Sequence, residues 1–214
     1  SSHGLVYARG QHGDYARWRQ LGNVGWSFED MLPYFRRAEN QQRGESEYHG
    51  VGGPLNVSDA RTSDPLSDAF VEAASQVGIP RNNDFNGATQ EGAGYYQTTT
   101  RNGRRGSTAR TYLRAARERR NLKIETNALV QRILFDGKRA SGVAWRQNGT
   151  LGTAKARSEV LVSSGAYNSP QILQLSGVGP GELLRKHGVE VVHDMAGVGE
   201  NLQDHLQIRI VTRC

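Results

Sequence analysis

Cysteine is nearly absent: Cys214, the last residue, is the only one in 214. An internal disulfide framework is therefore excluded, and a reducing compartment is permitted. Long apolar runs are missing too. No stretch approaches the roughly 18 apolar residues that a membrane span needs. A composition of 36% apolar and 22% charged residues instead suits a globular chain with a polar surface. The opening SSHGLVYARG has neither the cationic and apolar plan of a signal peptide nor an initiator methionine. The expected location is the cytoplasm, or at most the periphery of a membrane. No metal site is expected, because His49 has no His, Cys or carboxylate partner at metal-like spacing. A dinucleotide fingerprint is also lacking. Gly197-Val198-Gly199 begins like one, but Leu202 stands where the third glycine belongs.

The length allows a sizeable core in one or two domains. The balance of 27 basic against 21 acidic residues leaves a net charge of +6. Such an excess suits nucleic acid, an anionic surface or simple solubility. It is concentrated between Arg101 and Arg120, where Arg104, Arg105, Arg110, Arg114, Arg117 and Arg119 crowd together. Tyr112 is the one aromatic interleaved there, so a solvated helix face is favoured and no nucleic-acid partner is expected.

Glu159 to Gly179, EVLVSSGAYNSPQILQLSGVG, carries the strongest signal. Val160, Leu161 and Val162 suit a buried parallel strand. Small residues follow, including Gly165 and Ala166, where backbone could lie close to a bulky ligand. Asn168 and Ser169 before Pro170 predict a capped helix start with proline at the first helical position. Ile172, Leu173 and Leu175 give it an apolar face, and Gly177 stops it. Strand, glycine turn and helix N-terminus together make an element that α/β proteins use for phosphate-bearing cofactors. Ordinary strand–helix packing is the competing reading.

The wording of this stretch resembles the second signature of the glucose–methanol–choline (GMC) flavoprotein oxidoreductases, through Gly165-Ala166, Ser169-Pro170, Ile172-Leu173 and Ser176-Gly177-Val178-Gly179. The opening resembles the tail of the first signature: His3 stands at an Asn-or-His position, Tyr7 at an aromatic one and Gly10 at a small one, while Ser2 departs from an aliphatic preference. GWSFEDMLPYFRRAE, YHG, DFNG, RRGSTARTYL and GVGENLQDH are similar to further family phrases, closest to its choline and aliphatic-alcohol branch. The resemblance implies FAD as cofactor, with the backbone of His3, Gly4, Leu5 and Val6 and the bend at Gly165 and Ala166 against the flavin. It also places Val130, just after TNA, against the adenine. It implies oxidation of a primary alcohol, choline or an aliphatic alcohol, to the aldehyde, by hydride transfer to flavin, with an unassigned electron acceptor. None of the six histidines falls on the family's catalytic-histidine motif, so no catalytic residue is assigned. The chain reads as a middle portion of the family pattern, expected by itself to bind FAD weakly or not at all and to be inactive. Three other readings stay open: a non-redox lyase on the same fold, a basic nucleic-acid- or anion-binding module, and a chain without a function of its own.

The expected fold class is α/β, in part α+β: an incomplete Rossmann-like FAD-binding domain with part of a substrate-binding region. Residues 1–42 belong to the FAD side, 43–102 form a looser, turn-rich substrate side, and 103–214 return to the FAD-binding portion. Ser27 and Asp30 predict a capped helix that Pro33 interrupts, with Trp26 and Phe35 in the core. Asp64-Pro65 opens another helix that Gly78 closes. Ser107-Thr108-Ala109 caps a further helix through Ala116. Leu122 to Thr126 and Val189 to Val192 alternate like strands, and Leu129–Phe135 and Arg139–Trp145 predict a hairpin across Asp136-Gly137. His49 is read as a turn histidine.

Overall fold

The computed structural model describes residues 4–204 together with Leu206, Ile208 and Val211. His3 and His205 lie outside the described residues. The chain divides into two compact units, Ser2–Leu122 and Lys123–Cys214.

The first unit begins with two helices, α1 (His12–Gln20) and α2 (Phe28–Ala38). The Ser27 side chain caps α2 by accepting from the Asp30 N–H, and Asp30 reaches back to the Ser27 N–H. The helix runs straight through Pro33, contrary to the expected interruption. Proline there removes one intrahelical hydrogen bond. The capping box and the buried Phe28 outweigh that loss. Aromatic rings fill the space beneath: Tyr15 lies 5.8 Å from Phe28 and 5.9 Å from Phe35, and His12 stacks on Phe28 at 3.6 Å. Trp26 stays half exposed, edge-on to Trp18, rather than in the core.

Two short strands follow, β1 (Glu39–Gln41) and β2 (Leu55–Val57), paired in parallel. The turn between them passes so close to α2 that only glycine fits: a Cβ on Gly50 would collide with the Arg36 carbonyl. Helix α3 (Pro65–Gln76) starts on Asp64, whose carboxylate accepts from the Leu66 and Ser67 N–H groups, and Gly78 closes it at φ +89°. Strands β3 (Thr100–Arg101) and β4 (Arg104–Arg105) form a tight hairpin. A π-helical turn, Ala109–Leu113, then runs into the short helix α4 (Arg114–Ala116). Within the turn-rich 43–102 stretch, Val57, Gln97 and Thr99 are buried.

The second unit is built on an antiparallel meander of β5 (Leu129–Asp136), β6 (Arg139–Gln147) and β7 (Thr150–Lys155). Asp136 faces Arg139 across the first turn, as the hairpin pattern predicts. Asn148 and Gly149, both at positive φ, make the second turn. Helix α5 (Gly165–Leu175) packs on β5, and a short parallel pair, β8 (Val178–Gly179) with β9 (His193–Asp194), brackets helix α6 (Gly181–Lys186). Ile133, Ile172, Val178, Leu184 and Val198 form the core.

Three expected strands are absent. Residues 160–162 are unpaired with Leu161 81% exposed, 122–126 pair with nothing, and 189–192 yield pairing only at His193–Asp194. Apolar alternation supplies side chains for a sheet face, but a strand exists only where another backbone lies alongside. Helix α5 starts at Gly165, three residues before the predicted cap, because Gly165 takes φ +86° and Ser169 Oγ accepts from the Ser164 N–H. Pro170 therefore sits at the sixth helical position. Asn201 is in non-helical backbone at φ +54°.

One side chain ties α5 to the sheet. Ser176 Oγ accepts from the buried Ile133 N–H at 2.8 Å and donates to the Ile172 carbonyl. Replacing Ser176 with alanine strands that N–H, and chemical denaturation should register a loss of about 1–3 kcal/mol. An unchanged midpoint would mean that the contact carries no stability.

Candidate functional site

The first unit is held together around a carboxylate with no exposure to solvent, that of Glu39. Glu39 sits at the junction of α2 and β1, where the chain changes direction under the aromatic cluster. Arg9 Nη2 donates to it at 2.8 Å, Gln41 Nε2 at 3.1 Å, the Gly50 N–H at 3.3 Å, and His49 Nδ1 lies 3.0 Å away. The other face of His49 meets a second carboxylate, with Nε2 2.9 Å from Asp84. Both ring nitrogens thus contact carboxylates, which requires imidazolium. The hydrogen bond to Asp84, then that to Glu39, lifts the His49 pKa to about 9 against the opposing effect of burial. The same contact holds the Asp84 carboxyl below its usual range. His49 is indeed structural, but it is an ion clamped between two acids rather than a simple turn residue.

Further polar groups extend the network. Gln97 Nε2 donates to Gln41 Oε1 at 2.9 Å and to Asp59 at 2.7 Å, and Arg43 pairs with Asp59. Burial alone would raise the Asp59 carboxyl, and Arg43 and Gln97 together bring it below its ordinary value. Asn82, Asp84 and Asn86 each serve the next: the Asn82 amide oxygen accepts from the Asp84 N–H, and the Asp84 carboxylate from the Asn86 N–H. Asn86 then treats the N-terminal segment as a neighbouring strand would. Its Nδ2 donates to the Tyr7 carbonyl at 2.9 Å and its Oδ1 accepts from the Arg9 N–H at 2.7 Å.

On the opposite edge of that segment the Tyr7 N–H donates to the Gln97 carbonyl, and the Thr99 N–H to the Leu5 carbonyl. Residues 5–9 are therefore gripped from both sides. Leu5 is held at φ +73°, a conformation that disfavours a branched side chain. Gly4 has open space where a Cβ would point, and Val6 is 48% exposed. A strained, pinned and open stretch of main chain is the feature most suited to contact a ligand.

The expected cofactor residues fall in both units. Gly4, Leu5 and Val6 lie together on the pinned segment of the first. In the second, Val130 lies on β5 opposite Trp145, half buried, while Gly165 and Ala166 open α5 and are exposed. A Cβ on Gly165 would meet no atom within 4 Å, although its φ favours glycine. No side chain caps the N-terminus of α5. Sequence reading missed Arg9, Glu39, Gln41 and Asn86. The alternation Asn82-x-Asp84-x-Asn86, typical of consecutive side-chain turns, was the legible trace of that network.

The chain is similar to known proteins in sequence and fold. Residues 3–207 match the GMC oxidoreductase family. The oxygen-dependent choline dehydrogenase of Pectobacterium atrosepticum is 50% identical over 99% of the chain, and the mitochondrial choline dehydrogenase of Homo sapiens 48% identical over all of it. The chain spans 38% and 36% of those proteins' lengths. Among solved structures, pyridoxine 4-oxidase from Mesorbium loti superposes with a TM-score of 0.89 at 34% identity, over 95% of this chain and 40% of that one. An FAD-dependent oxidoreductase from Chaetomium thermophilum gives 0.89 at 33%, over 94% and 37%.

The clamped histidine sets a pH dependence. A raised pKa means its stabilisation is complete below the ordinary value of 6.5 and is lost as pH rises through about 9. Asp84, whose pKa is lowered, contributes above its ordinary 3.8 and loses that contribution as pH falls further. The melting temperature should therefore decline from pH 6.5 to beyond 9, and His49→Gln should flatten the decline while costing about 3 kcal/mol at neutral pH. Parallel pH profiles for the native chain and the variant would contradict the imidazolium assignment.

Proposed function

The chain belongs to the GMC oxidoreductase family, and on that footing we propose that it forms part of the FAD-holding portion of an enzyme that oxidises a primary alcohol, choline foremost, to the aldehyde. The observation that carries this reading is the segment Gly4–Val6, strained at Leu5, held by the Thr99 N–H on the Leu5 carbonyl, continuous with Tyr7 and Arg9 that Gln97 and Asn86 fix, and exposed at Val6. The names of the two choline dehydrogenases supply the substrate, and aliphatic alcohols are the next choice.

The residues present suit a flavin nucleotide. Main chain with no side chain above it, at Gly4 and Gly165, admits a flat ring system at van der Waals distance. The uncapped N–H groups of the 11-residue helix α5 favour negative charge. FAD, when bound, takes up the hydride that leaves the alcohol carbon. This chain contributes binding and orientation: Asn86 fixes the register of residues 7–9, Leu5 and Val6 present backbone, and Gly165 leaves its approach clear. Val130 is the proposed contact for the adenine. No residue of this chain is assigned to proton removal. Among the described residues no helix is long and apolar enough to cross a membrane. A cytoplasmic or membrane-peripheral location accompanies the reading.

A chimera tests it: this chain replaces the matching 38% of the Pectobacterium relative. The purified chimera should be yellow, and choline should bleach its flavin absorbance. A chimera that melts cooperatively yet is colourless refutes the cofactor reading. One that holds flavin but is reduced by neither choline nor aliphatic alcohols refutes the substrate. In the same background Gly165→Val should weaken flavin retention by about tenfold or more, while strain lowers stability by only about 1–3 kcal/mol.

A further inference from the structure

The arginines between Arg101 and Arg120 are solvent-exposed, as expected, but a helix face is only part of what they form. Arg101, Arg104, Arg105, Arg110 and Arg114, from hairpin β3–β4 and the helical turn after it, line one hollow of about 1160 Å³. That is somewhat larger than ligand-sized cavities, which run roughly 300–1,000 Å³. No carboxylate lines it. Among the described residues, Arg101, Arg104, Arg110 and Arg114 form no salt bridge.

The local structure forces these charges together. Asn102 and Gly103, at φ +51° and +72°, make the tightest kind of hairpin turn. Arg101 is thereby registered directly opposite Arg104. Like charges in that position repel and weaken a hairpin. Arg110 and Arg114 repeat the offence at helical spacing of four. The hairpin cannot relax, because Asn56 Nδ2 donates to the Thr100 carbonyl at 2.6 Å and the Gly106 N–H to the Thr99 carbonyl at 2.8 Å. The turn beside them is π-helical, a geometry common where a helix serves a site. Two like-charge pairs held rigidly around one concavity break local rules without a compensating contact, which is the signature of a binding site.

We propose that this hollow binds a compact oligophosphate, a site separate from any contact named above. Several guanidiniums converging on one space call for several negative charges on a small ligand, and each planar fork matches two phosphate oxygens. A nucleic acid is disfavoured, because no aromatic side chain lines the hollow to stack a base.

Calorimetric titration of the full chain with sodium tripolyphosphate tests the proposal. Saturable binding is expected, weakening steeply with added salt. The double variant Arg104→Ala/Arg110→Ala should lose at least about tenfold in affinity. Its melting temperature should hold or rise, since repulsion is relieved. Arg117→Ala/Arg119→Ala, outside the hollow, should bind as the native chain does. Citrate should compete more weakly than pyrophosphate. No saturable heat, or equal losses in the two double variants, would overturn the site. Citrate competing as well as pyrophosphate would overturn the phosphate assignment. A single-stranded oligonucleotide that displaces tripolyphosphate at lower concentration would overturn it in favour of an extended nucleic-acid face.

Discussion

A carboxylate sealed from water must find its whole hydration shell in the protein, and in the first unit that demand falls on Glu39. Leaving it unpaired would cost several kcal/mol. Arg9, Gln41, His49 and the Gly50 N–H meet it from three different stretches of chain. Because His49 is then charged, Asp84 is drawn to its far side. Two cations and two anions thus close into a neutral cluster. Asp84 in turn orients Asn86, and Asn86 sets the backbone of residues 7–9. The strained conformation at Leu5 is the far end of that chain of necessity. Strain of this sort persists only where surroundings over-determine it, and here both edges of the segment are hydrogen-bonded.

The second unit is organised by packing instead. Close approaches decide its geometry: Trp145 lies over Gly152 across the β6–β7 ladder, and Gly181 sits against the Asp194 carboxylate, which accepts its N–H. Ser176 closes the helix α5 onto the meander. The start of α5 carries only the small residues Gly165 and Ala166 and no side-chain cap, so this end of the unit is defined by small size rather than by a polar network. The two proposed contact regions of a GMC oxidoreductase are thus built by different physics, one by charge satisfaction and one by small size.

Electrostatics also separates the interior of the first unit from its surface. Inside, every charge in the Glu39 cluster has an opposite within hydrogen-bond distance, and no buried side-chain polar atom among the described residues lacks a partner. At the β3–β4 hairpin the pattern reverses. Arginines face arginines, and the backbone is too well anchored for them to move apart. Buried compensation serves stability, whereas Arg101 and Arg104 are left as like charges facing each other at the surface.

Much was legible in the residues alone. Local devices whose partners lie within a few positions read true: the Ser27–Asp30 capping box, the Asp64-Pro65 helix start, the Gly78 and Gly177 stops, and the hairpin turning at Asp136-Gly137. The family wording around Gly165 and Ser169 was equally plain, because left-handed φ at Gly165 and Gly177, and a close backbone approach at Gly177, restrict residue type at fixed spacing. Tertiary structure alone decided the rest. Whether Val160–Val162 became a strand depended on a neighbouring backbone, which no periodicity encodes. Pro33 was overridden by the capping box of Ser27 and Asp30 and the burial of Phe28 at the helix start. His49 looked idle until folding placed Glu39, ten positions back, and Asp84, thirty-five ahead, on its two nitrogens. The arginine run became a hollow only through a two-residue turn and an asparagine forty-four positions away. Sequence specifies interactions that close over short loops, while charge networks and cavities arise from long-range convergence, and only the folded chain supplies it.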